Sequence, residues 1–437
     1  MADTCGDMAN AEILTEQVNE LEAKLEATRA QLRDVATMGA VITSIQEIDA
    51  VLSVVMDMSI RLVNGEVGLI MLTEGEELHL KIAWGLDEAF ARRLSYRDDL
   101  DLPTYVFRSR EPVMLNELCM TDDTGLQIDS IVCLPIQTSK ACLGVMMIVN
   151  KAGGGNFDDS DRDLLEMLIN FAAVAIDNSN LIRARLAQQE QERELAIAGQ
   201  IQETILPLSF DYVPGVEIGA AYVPMGEVGG DFYDVISLDD NEFILILGDV
   251  SSHGVPAALV MSATAGIIKT LLKEKPGLPV GELAAQTNTL LADEIIKDRD
   301  MFVTLFLCRF RMDVGELTFC NAGHLPGLLW DNSNGQIVAL AEGGPIVGQF
   351  ADIPFNQGRH SIASGDRLFL FTDGLTEASD AEGNLFGRER VEQVYSTEMG
   401  LSPKEFCVRV KEWIDRYTEG APEETRDDFT ILQLRVK

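Results

Sequence analysis

The stretch Phe243-Ile-Leu-Ile-Leu-Gly-Asp249 is a run of five apolar residues that ends on a glycine and an aspartate. A short apolar run of this kind predicts a buried β-strand. A second run, Leu368-Phe-Leu-Phe371, is followed by Thr372 and Asp373. A carboxylate at the mouth of a buried strand costs free energy unless a partner neutralises its charge. The two aspartates therefore indicate a functional site.

Two further motifs place aspartates beside glycine or a second aspartate: Val228-Gly-Gly-Asp231 and Asp427-Asp428-Phe-Thr430. Hard divalent cations prefer oxygen ligands, so carboxylates that converge from several segments predict a Mg²⁺ or Mn²⁺ site. Each motif alone is weak evidence, because an Asp-Gly pair is most often a turn. The residue types alone leave open which of Asp427 and Asp428 faces a metal.

Length and composition limit the function classes. The chain has 437 residues, of which 46% are hydrophobic, which predicts two or three domains with sizeable cores. Its net charge of −37 argues against nucleic acid and anionic membrane as partners. We expect neither a signal peptide nor a transmembrane helix, because no basic N-terminal region or long uncharged apolar run is present. Seven scattered cysteines without a CxxC pair predict core thiols in a reducing cytoplasm.

Residues 11–37 carry an apolar stripe with alternating spacings of four and three. Its members are Leu14, Val18, Leu21, Leu25, Thr28, Leu32 and Val35. This heptad pattern predicts a coiled-coil helix that forms a parallel homodimer. The alternative is an amphipathic helix that packs on its own domain.

Residues 38–181 are predicted to form a compact α/β unit. Helical periodicity covers residues 42–63 and 159–180, and apolar stretches predict strands at 67–72, 78–83, 130–136 and 142–149. This order, with Leu134-Pro-Ile136, Gly144-Val145 and Phe157-Asp-Asp-Ser-Asp161, resembles a GAF domain, a small-molecule sensor module of bacterial signalling. Asn150-Lys151, Phe157 and Asp161 partly match the cyclic-nucleotide-binding GAF pattern, but Arg162 departs from it. We therefore expect these residues to tie the last strand to the last helix, and the GAF ligand is unknown.

Residues 182–207 are predicted to form a polar linker helix that Pro207 ends. A stripe at heptad spacing runs along it, with glutamines in its middle. Its members are Leu181, Ala184, Gln188, Gln191, Leu195, Ala198, Gln202 and Ile205. Such a stripe predicts a weak dimer helix that can switch between two states, and a plain spacer is the alternative.

Residues 208–437 are predicted to form an α+β sandwich. Strands are expected at 217–222, 234–238, 242–247, 303–312, 316–320, 328–330, 367–371 and 429–436. Helices are expected at 256–273, 280–297, 388–396 and 403–417. Because the strands come as adjacent antiparallel pairs with turns at 239–241 and 313–315, helices are expected to cover antiparallel sheets.

The motifs of this half resemble the SpoIIE-like and RsbU-like serine/threonine phosphatases, a branch of the metal-dependent PPM family. The resemblance spans residues 195–436 and implies an α-β-β-α sandwich. The motifs are Leu195–Pro207, Val228–Asp234, Gly248–Gly254, Met301–Thr304, Asn321–His324, Phe371–Glu377 and Asp427–Thr430.

The resemblance implies a site with two Mn²⁺ or Mg²⁺ ions. Its carboxylate ligands would be Asp231, Asp249, Asp373 and Asp427, with Asp249 as the bridging and catalytic carboxylate. The Val250 backbone carbonyl would be a further ligand, and Asp428 is the alternative to Asp427.

The residues that follow Asp249 include one departure from the family pattern and one candidate catalytic side chain. Ser252 stands where the family has glycine, and we expect activity to survive because no ligand is removed. His253 is a candidate general acid, although it can equally pin the turn. Ser251 and Ser252 beside His253 resemble a nucleophile cluster, but the surrounding acids favour a metal.

The sequence therefore predicts a cytoplasmic, homodimeric serine/threonine phosphoprotein phosphatase that a GAF domain regulates. The resemblance implies that its substrate is a phosphorylated anti-sigma-factor antagonist of the STAS type, in a partner-switching pathway. The alternatives are a non-catalytic GAF sensor or scaffold and a phosphatase of small phosphate esters.

Overall fold

A computed structural model describes residues 37–437, apart from 38, 46, 76, 86–101, 122–126, 208, 211–212, 214, 298–299 and 423–426. The coiled coil predicted over residues 11–37 lies outside the described residues, except for residue 37. The chain divides into two compact units between Gln189 and Glu190, and each is described by itself.

The first unit is an antiparallel five-stranded sheet with helices on both faces. Its elements are α1 (Ile48–Val63), β1 (Gly65–Glu74), β2 (Glu77–Trp84), α2 (Leu102–Ser109), β3 (Val113–Thr121), β4 (Gln127–Gln137), β5 (Cys142–Lys151) and the first part of α3 (Asp159–Glu203). The strand order is β2-β1-β5-β4-β3. On β5, Met146 and Ile148 face α1 and α3, while Met147 and Val149 face the core that contains Val106 of α2. This alternation follows from the two-residue period of a strand.

The residues that resemble the cyclic-nucleotide-binding GAF pattern make structural contacts. The Asn150 side chain accepts from the Asp129 amide at 2.8 Å and donates to the Gln127 carbonyl at 2.7 Å. Lys151 Nζ lies 2.7 Å from Asp161 Oδ2. These bonds hold the end of β5 against β4 and α3, as the sequence predicts.

Helix α3 joins what the sequence analysis treats as two helices. It runs without interruption from Asp159 to Glu203, and the turn Thr204–Leu206 separates it from Pro207. The side chains of residues 181–194 are all exposed. The predicted boundary near residue 181 is therefore a change in burial, and the helical backbone continues through it.

The second unit is a sandwich of two sheets with helices outside both. Its strands are β6 (Val216–Val223), β7 (Phe232–Ser237), β8 (Glu242–Val250), β9 (Val303–Arg311), β10 (Glu316–Ala322), β11 (Gly327–Asp331), β12 (Gln336–Leu340), β13 (Gly343–Gly344), β14 (Gly358–Ser361), β15 (Arg367–Phe371) and β16 (Phe429–Val436). Its helices are α4 (Gly254–Glu274), α5 (Val280–Leu290), α6 (Asp373–Thr376), α7 (Arg388–Thr397) and α8 (Pro403–Tyr417). These layers give the predicted α+β sandwich.

Strand alternation divides the core of this unit into three layers. One sheet has the order β13-β10-β9-β8-β7 with β14 on β10, and the other has the order β12-β11-β15-β16-β6. Leu245 of β8 and Leu432 of β16 belong to the core between the sheets. Ile246 faces α4 and α5, and Ile431 faces α7 and α8 on the opposite outer side.

Several predicted bounds differ from the structure. The helix predicted over 42–63 is interrupted, because residues 42–44 are helical, residue 45 is not, and α1 begins at Ile48. The helix predicted over 280–297 becomes a π-helix at Leu291–Ile296. The prediction missed α2, α6, β3 and β12–β14. Most of these are short, and β12 is largely half-buried or exposed, so their sequences lack a strong apolar period.

Helix α4 is long and apolar enough to cross a membrane by length and composition, and no other described helix meets that test. Met261, Ala265 and Ile268 on its inner face are buried in the core against β8 and β9. Its apolar character is therefore used in packing within this unit.

Candidate metal centre

Asp231 and Asp249 lie at the same end of neighbouring strands. Asp231 immediately precedes β7, Asp249 is the second-last residue of β8, and Phe232 pairs with Gly248 across the ladder. By strand alternation Asp249 shares the face of Leu245 and Leu247, which line the core between the sheets. The motif thus places both carboxylates at the edge of the seam between the two sheets.

Two threonines from the opposite sheet hold Asp231, which is 1% exposed. Thr372 Oγ1 donates to Asp231 Oδ2 at 2.8 Å, and Thr430 Oγ1 donates to the same oxygen at 2.6 Å. Both threonines are fully buried. These bonds offset part of the cost of burying the carboxylate.

The electrostatics of the site show that four carboxylates crowd together. Burial and the neighbouring Asp249 raise the pKa of Asp231 well above its usual range. Burial and the nearby Asp373 and Asp427 raise the pKa of Asp249 to about 7. Burial and the nearby Asp427 raise the pKa of Asp373 to about 6. Four segments that are distant in sequence therefore bring their acids into mutual repulsion.

Asp427 and Asp428 have different surroundings. Both oxygens of the buried Asp428 accept backbone amides: Oδ1 from Met225 at 2.7 Å and Oδ2 from Gly230 at 2.5 Å. Asp427 is exposed, and burial of its carboxyl group raises its pKa. Asp428 thus braces the loop that carries Asp231, while the Asp427 carboxylate faces Asp249 and Asp373.

Two glycines permit close backbone approach at the site. A Cβ on Gly374 would lie 2.0 Å from the Asp428 carbonyl oxygen, which no side chain can tolerate. A Cβ on Gly230 would lie 3.0 Å from the Val250 carbonyl oxygen. The predicted backbone ligand Val250 is therefore next to the loop that ends in Asp231.

Three polar residues close behind Asp249 in the sequence, Ser251, Ser252 and His253, have different surroundings. Ser251 accepts from the Phe302 amide at 2.7 Å, so its hydroxyl is used to tie the loop to the start of β9. Ser252 has a φ of 99°, a conformation that favours glycine. His253 is exposed at the N-cap of α4, and its positive charge when protonated lowers the pKa of Asp427.

The second histidine near the site, His324, is buried and neutral at physiological pH. Burial lowers the pKa of its imidazole to about 4. Its Nδ1 lies 2.7 Å from Thr304 Oγ1, and Thr304 pairs with Asp249 across the β8–β9 ladder. His324 therefore lies behind the acidic cluster, where it contacts the strand neighbour of Asp249.

The donor set fits a hard divalent cation. All candidate ligands are oxygens, and a cation would relieve the repulsion that helps to raise the pKa values of these carboxyl groups. Within the described ranges, no three Asp, Glu, His or Cys side chains already form a group that could hold one ion. Asp231 and Asp249 instead share a side-chain hydrogen bond. Ion binding would thus require these two side chains to change rotamer and the shared proton between them to be released.

The end of α3 contacts the loop that carries Asp231. Gln202 Nε2 donates to the Gly229 carbonyl at 2.5 Å, and the Gly229 amide donates to Gln202 Oε1 at 3.1 Å. A Cβ on Gly199 would lie 2.2 Å from the Glu227 carbonyl oxygen. Lys269 of α4 donates to the Ile205 carbonyl and pairs with Asp234. The last turns of α3, and the turn that follows them, therefore pack on the second unit.

Sequence reasoning missed the roles of Gln202, Thr372 and Thr430. All three lie within or beside the quoted motifs, but each acts on a residue 27 to 199 positions away. Spacing within a motif cannot reveal such contacts. Their position next to a candidate ligand motif is the only hint that the sequence offers.

Comparison with known proteins assigns both units. Residues 239–437 match the family model of Stage II sporulation protein E (SpoIIE), and residues 46–177 match that of the GAF domain. The chain joins a GAF domain to a SpoIIE-type phosphatase domain. Five of the seven motifs that carry the predicted resemblance lie wholly within the SpoIIE match.

Relatives of the chain include a protein that is named a phosphatase. The chain is 29% identical over 276 residues to phosphoserine phosphatase RsbU of Bacillus subtilis (strain 168), which covers 63% of this chain and 78% of RsbU. It is 28% identical over 287 residues to protein IcfG of Synechocystis sp., covering 58% of this chain and 44% of IcfG.

A solved structure shows the same fold. The SiaA-PP2C domain of Pseudomonas aeruginosa superimposes with a TM-score of 0.51 at 21% identity, covering 57% of this chain and 99% of that domain. At this identity the likeness shows the fold of the SpoIIE-type domain and not its substrate.

Proposed function

We propose that this chain is a metal-dependent serine/threonine phosphoprotein phosphatase that its GAF domain regulates. The observation that carries the proposal is the convergence of Asp231, Asp249, Asp373 and Asp427, from four segments, at one edge of the sandwich. A catalytically inert scaffold has no need of mutually repelling carboxylates, because each raises the free energy of the fold.

The four aspartates are the proposed metal ligands. Asp231, Asp249, Asp373 and Asp427 would hold two Mn²⁺ or Mg²⁺ ions with the Val250 carbonyl. Such ions supply positive charge against phosphoryl oxygens and lower the pKa of a water molecule.

His253 is the candidate proton donor to the leaving serine or threonine oxygen. Its exposed position beside Asp427 supports this role, because a phosphorylated side chain can reach it from solvent. Asp428 supplies no open oxygen, so it would act by bracing the Asp231 loop.

The substrate class rests on the relatives. RsbU is named a phosphoserine phosphatase, and the resemblance implies a STAS-type anti-sigma-factor antagonist as the phosphoprotein in a cytoplasmic partner-switching pathway. The high negative charge supports a protein partner over nucleic acid or anionic membrane.

We also propose that α3 transmits the state of the GAF domain to the metal centre. The side chains of residues 181–194 are exposed, which supports pairing of that stretch with a second copy in a homodimer. At its end, the two hydrogen bonds between Gln202 and Gly229 join the helix to the Asp231 loop. A shift of the helix would therefore change how well that loop presents Asp231.

The test is turnover of a chromogenic phosphomonoester and of phosphorylated STAS proteins from the same genome, with added Mn²⁺. We expect Asp249→Ala and Asp373→Ala to lower kcat/KM by about 100-fold or more, because each removes a candidate ligand. Asp240→Ala, at an exposed turn, is the matched control. Equal activity of wild type and both ligand variants would refute the enzyme assignment, and turnover of small esters alone would favour the small-ester alternative.

A further inference from the structure

A groove opens beside Asp427 on the SpoIIE-type domain. It has a volume of about 370 Å³ and is bounded by the end of β6, by residues 374–379 and by the last two turns of α8. We call it the Asp427 groove. Its volume falls within the range of sites that bind ligands.

The groove is continuous with the candidate metal centre. Asp427 lines the groove and belongs to the acidic cluster, and Gly374, which also lines the groove, directly follows Asp373 of that cluster. The amide of Met225, on the groove wall, donates to Asp428, which also accepts the amide of Gly230. The same short loop therefore builds the groove wall and positions Asp231.

The groove combines an apolar floor with exposed apolar walls. Phe429 and Ile414 are buried beneath it, whereas Val223 is 38% exposed and Met225 is 43% exposed. Lys411 lies at the rim, in an exposed ion pair with Asp415. Exposed ion pairs of this kind contribute little stability, so Lys411 can exchange its partner.

These features favour a phosphorylated polypeptide over a small phosphate ester as the occupant of the Asp427 groove. A small phosphate ester bound at the acidic cluster would leave Val223 and Met225 in water. A polypeptide that carries a phosphoserine continues past the phosphate and can cover them. Methionine adapts its shape to different apolar partners, which suits a recognition surface.

We infer that the Asp427 groove binds an apolar side chain of the phosphoprotein substrate, next to its phosphorylated residue, and that Lys411 forms an ion pair with an acidic group of the same chain. The inference rests on the proposed function. It makes Met225 a specificity-determining residue that distinguishes phosphoproteins from small phosphate esters.

The test compares two substrates on the full-length chain with Mn²⁺. For Met225→Ser we expect the ratio of kcat/KM for the phosphoprotein to kcat/KM for the chromogenic ester to fall about tenfold, mainly through KM. Burial of a methionine side chain is worth enough free energy for a change of that size. Met225→Leu should restore the ratio, because it keeps the apolar surface.

Val314→Ser is the matched control, since Val314 is 59% exposed on the β9–β10 turn and does not line the groove. An unchanged ratio in Met225→Ser, with a wild type that hydrolyses the phosphoprotein, overturns the inference and leaves the proposed function standing. A wild type that hydrolyses neither substrate removes both.

Discussion

At the scale of single residues, the site contains side chains that are unfavourable for stability. Ser252 has a positive φ that suits glycine, and four carboxyl groups have raised pKa values. Strain and like charge persist only where the surrounding structure enforces them, and they gather at functional sites.

The Ser252 backbone gives the first prediction. Ser252→Gly should raise the free energy of unfolding of the phosphatase domain by about 1 kcal/mol, because it removes the strain of a Cβ at this φ. Ser251→Gly, one residue earlier, should lower it by about 1 kcal/mol by leaving the Phe302 amide unpaired. Chemical denaturation measures both, and equal effects of the two changes would contradict the assignment.

The Asp249 carboxyl gives a pH prediction for the metal-stripped protein. Its pKa rises from an ordinary 3.8 to about 7 on folding, so the folded state binds this proton more tightly. The resulting stability is complete below about pH 4 and is lost as the pH rises through 7. Relative to Asp249→Asn, the wild type should lose on the order of 2 kcal/mol between pH 5 and pH 8. Parallel pH profiles in thermal unfolding would count against the crowded cluster.

At the scale of elements, we propose two purposes for the heptad stripe of α3, namely pairing with a second copy and positioning the Asp231 loop. The sequence extends the predicted dimer stripe to Ile205, but in the last turns Gln202 is buried and Ile205 packs against the phosphatase core. A dimer partner can therefore use only the upstream part of the stripe. The downstream part, around Gln202, contacts the Asp231 loop instead.

Loss of the Gln202 side chain tests that second purpose. Gln202→Ala would leave two buried backbone groups of Gly229 unpaired, which costs about 1–3 kcal/mol. We expect the Mn²⁺ concentration for half-maximal thermal stabilisation to rise about tenfold, and that for half-maximal activity to rise with it. Gln200→Ala, on the exposed side of the same helix, is the control. Superimposable Mn²⁺ titrations of the two variants would exclude the coupling.

The sequence predicts regular elements well where local chemistry marks their ends. The bounds predicted for β15, β16 and α8 agree with the structure to the residue. For α8 the reason is clear, since Ser402 and Glu405 form a capping box around Pro403. The four candidate ligands are also recognisable from their motifs. The Gln202 bonds and the bracing role of Asp428 are not, because they depend on contacts between distant segments.

At the scale of the whole molecule, the open question is how two domains on one chain communicate. The exposed stretch 181–194 carries Gln188 and Gln191 on the predicted stripe. Glutamines at such positions make a helical dimer weak, which leaves room for regulation. The same weakness allows the hypothesis of dimer switching to be tested without changing either domain.

Replacing both glutamines should strengthen the pairing. For Gln188→Leu with Gln191→Leu we expect the dimer dissociation constant in sedimentation to fall about tenfold or more, with a shift in phosphatase activity. Gln189→Leu with Gln200→Leu adds the same apolar surface off the stripe as a control. A tighter dimer with unchanged activity would rule out switching through this helix.

The long exposed middle of α3 has a further consequence for amide hydrogen exchange. An isolated helix of about 14 residues is marginal in water, so residues 181–194 depend on the anchored turns at both ends. We expect these amides to exchange faster than those of residues 165–176, which pack in the GAF core. Slower exchange after dimerisation, or after ligand binding at either domain, would show that the stability of one end of α3 is coupled to the stability of the other.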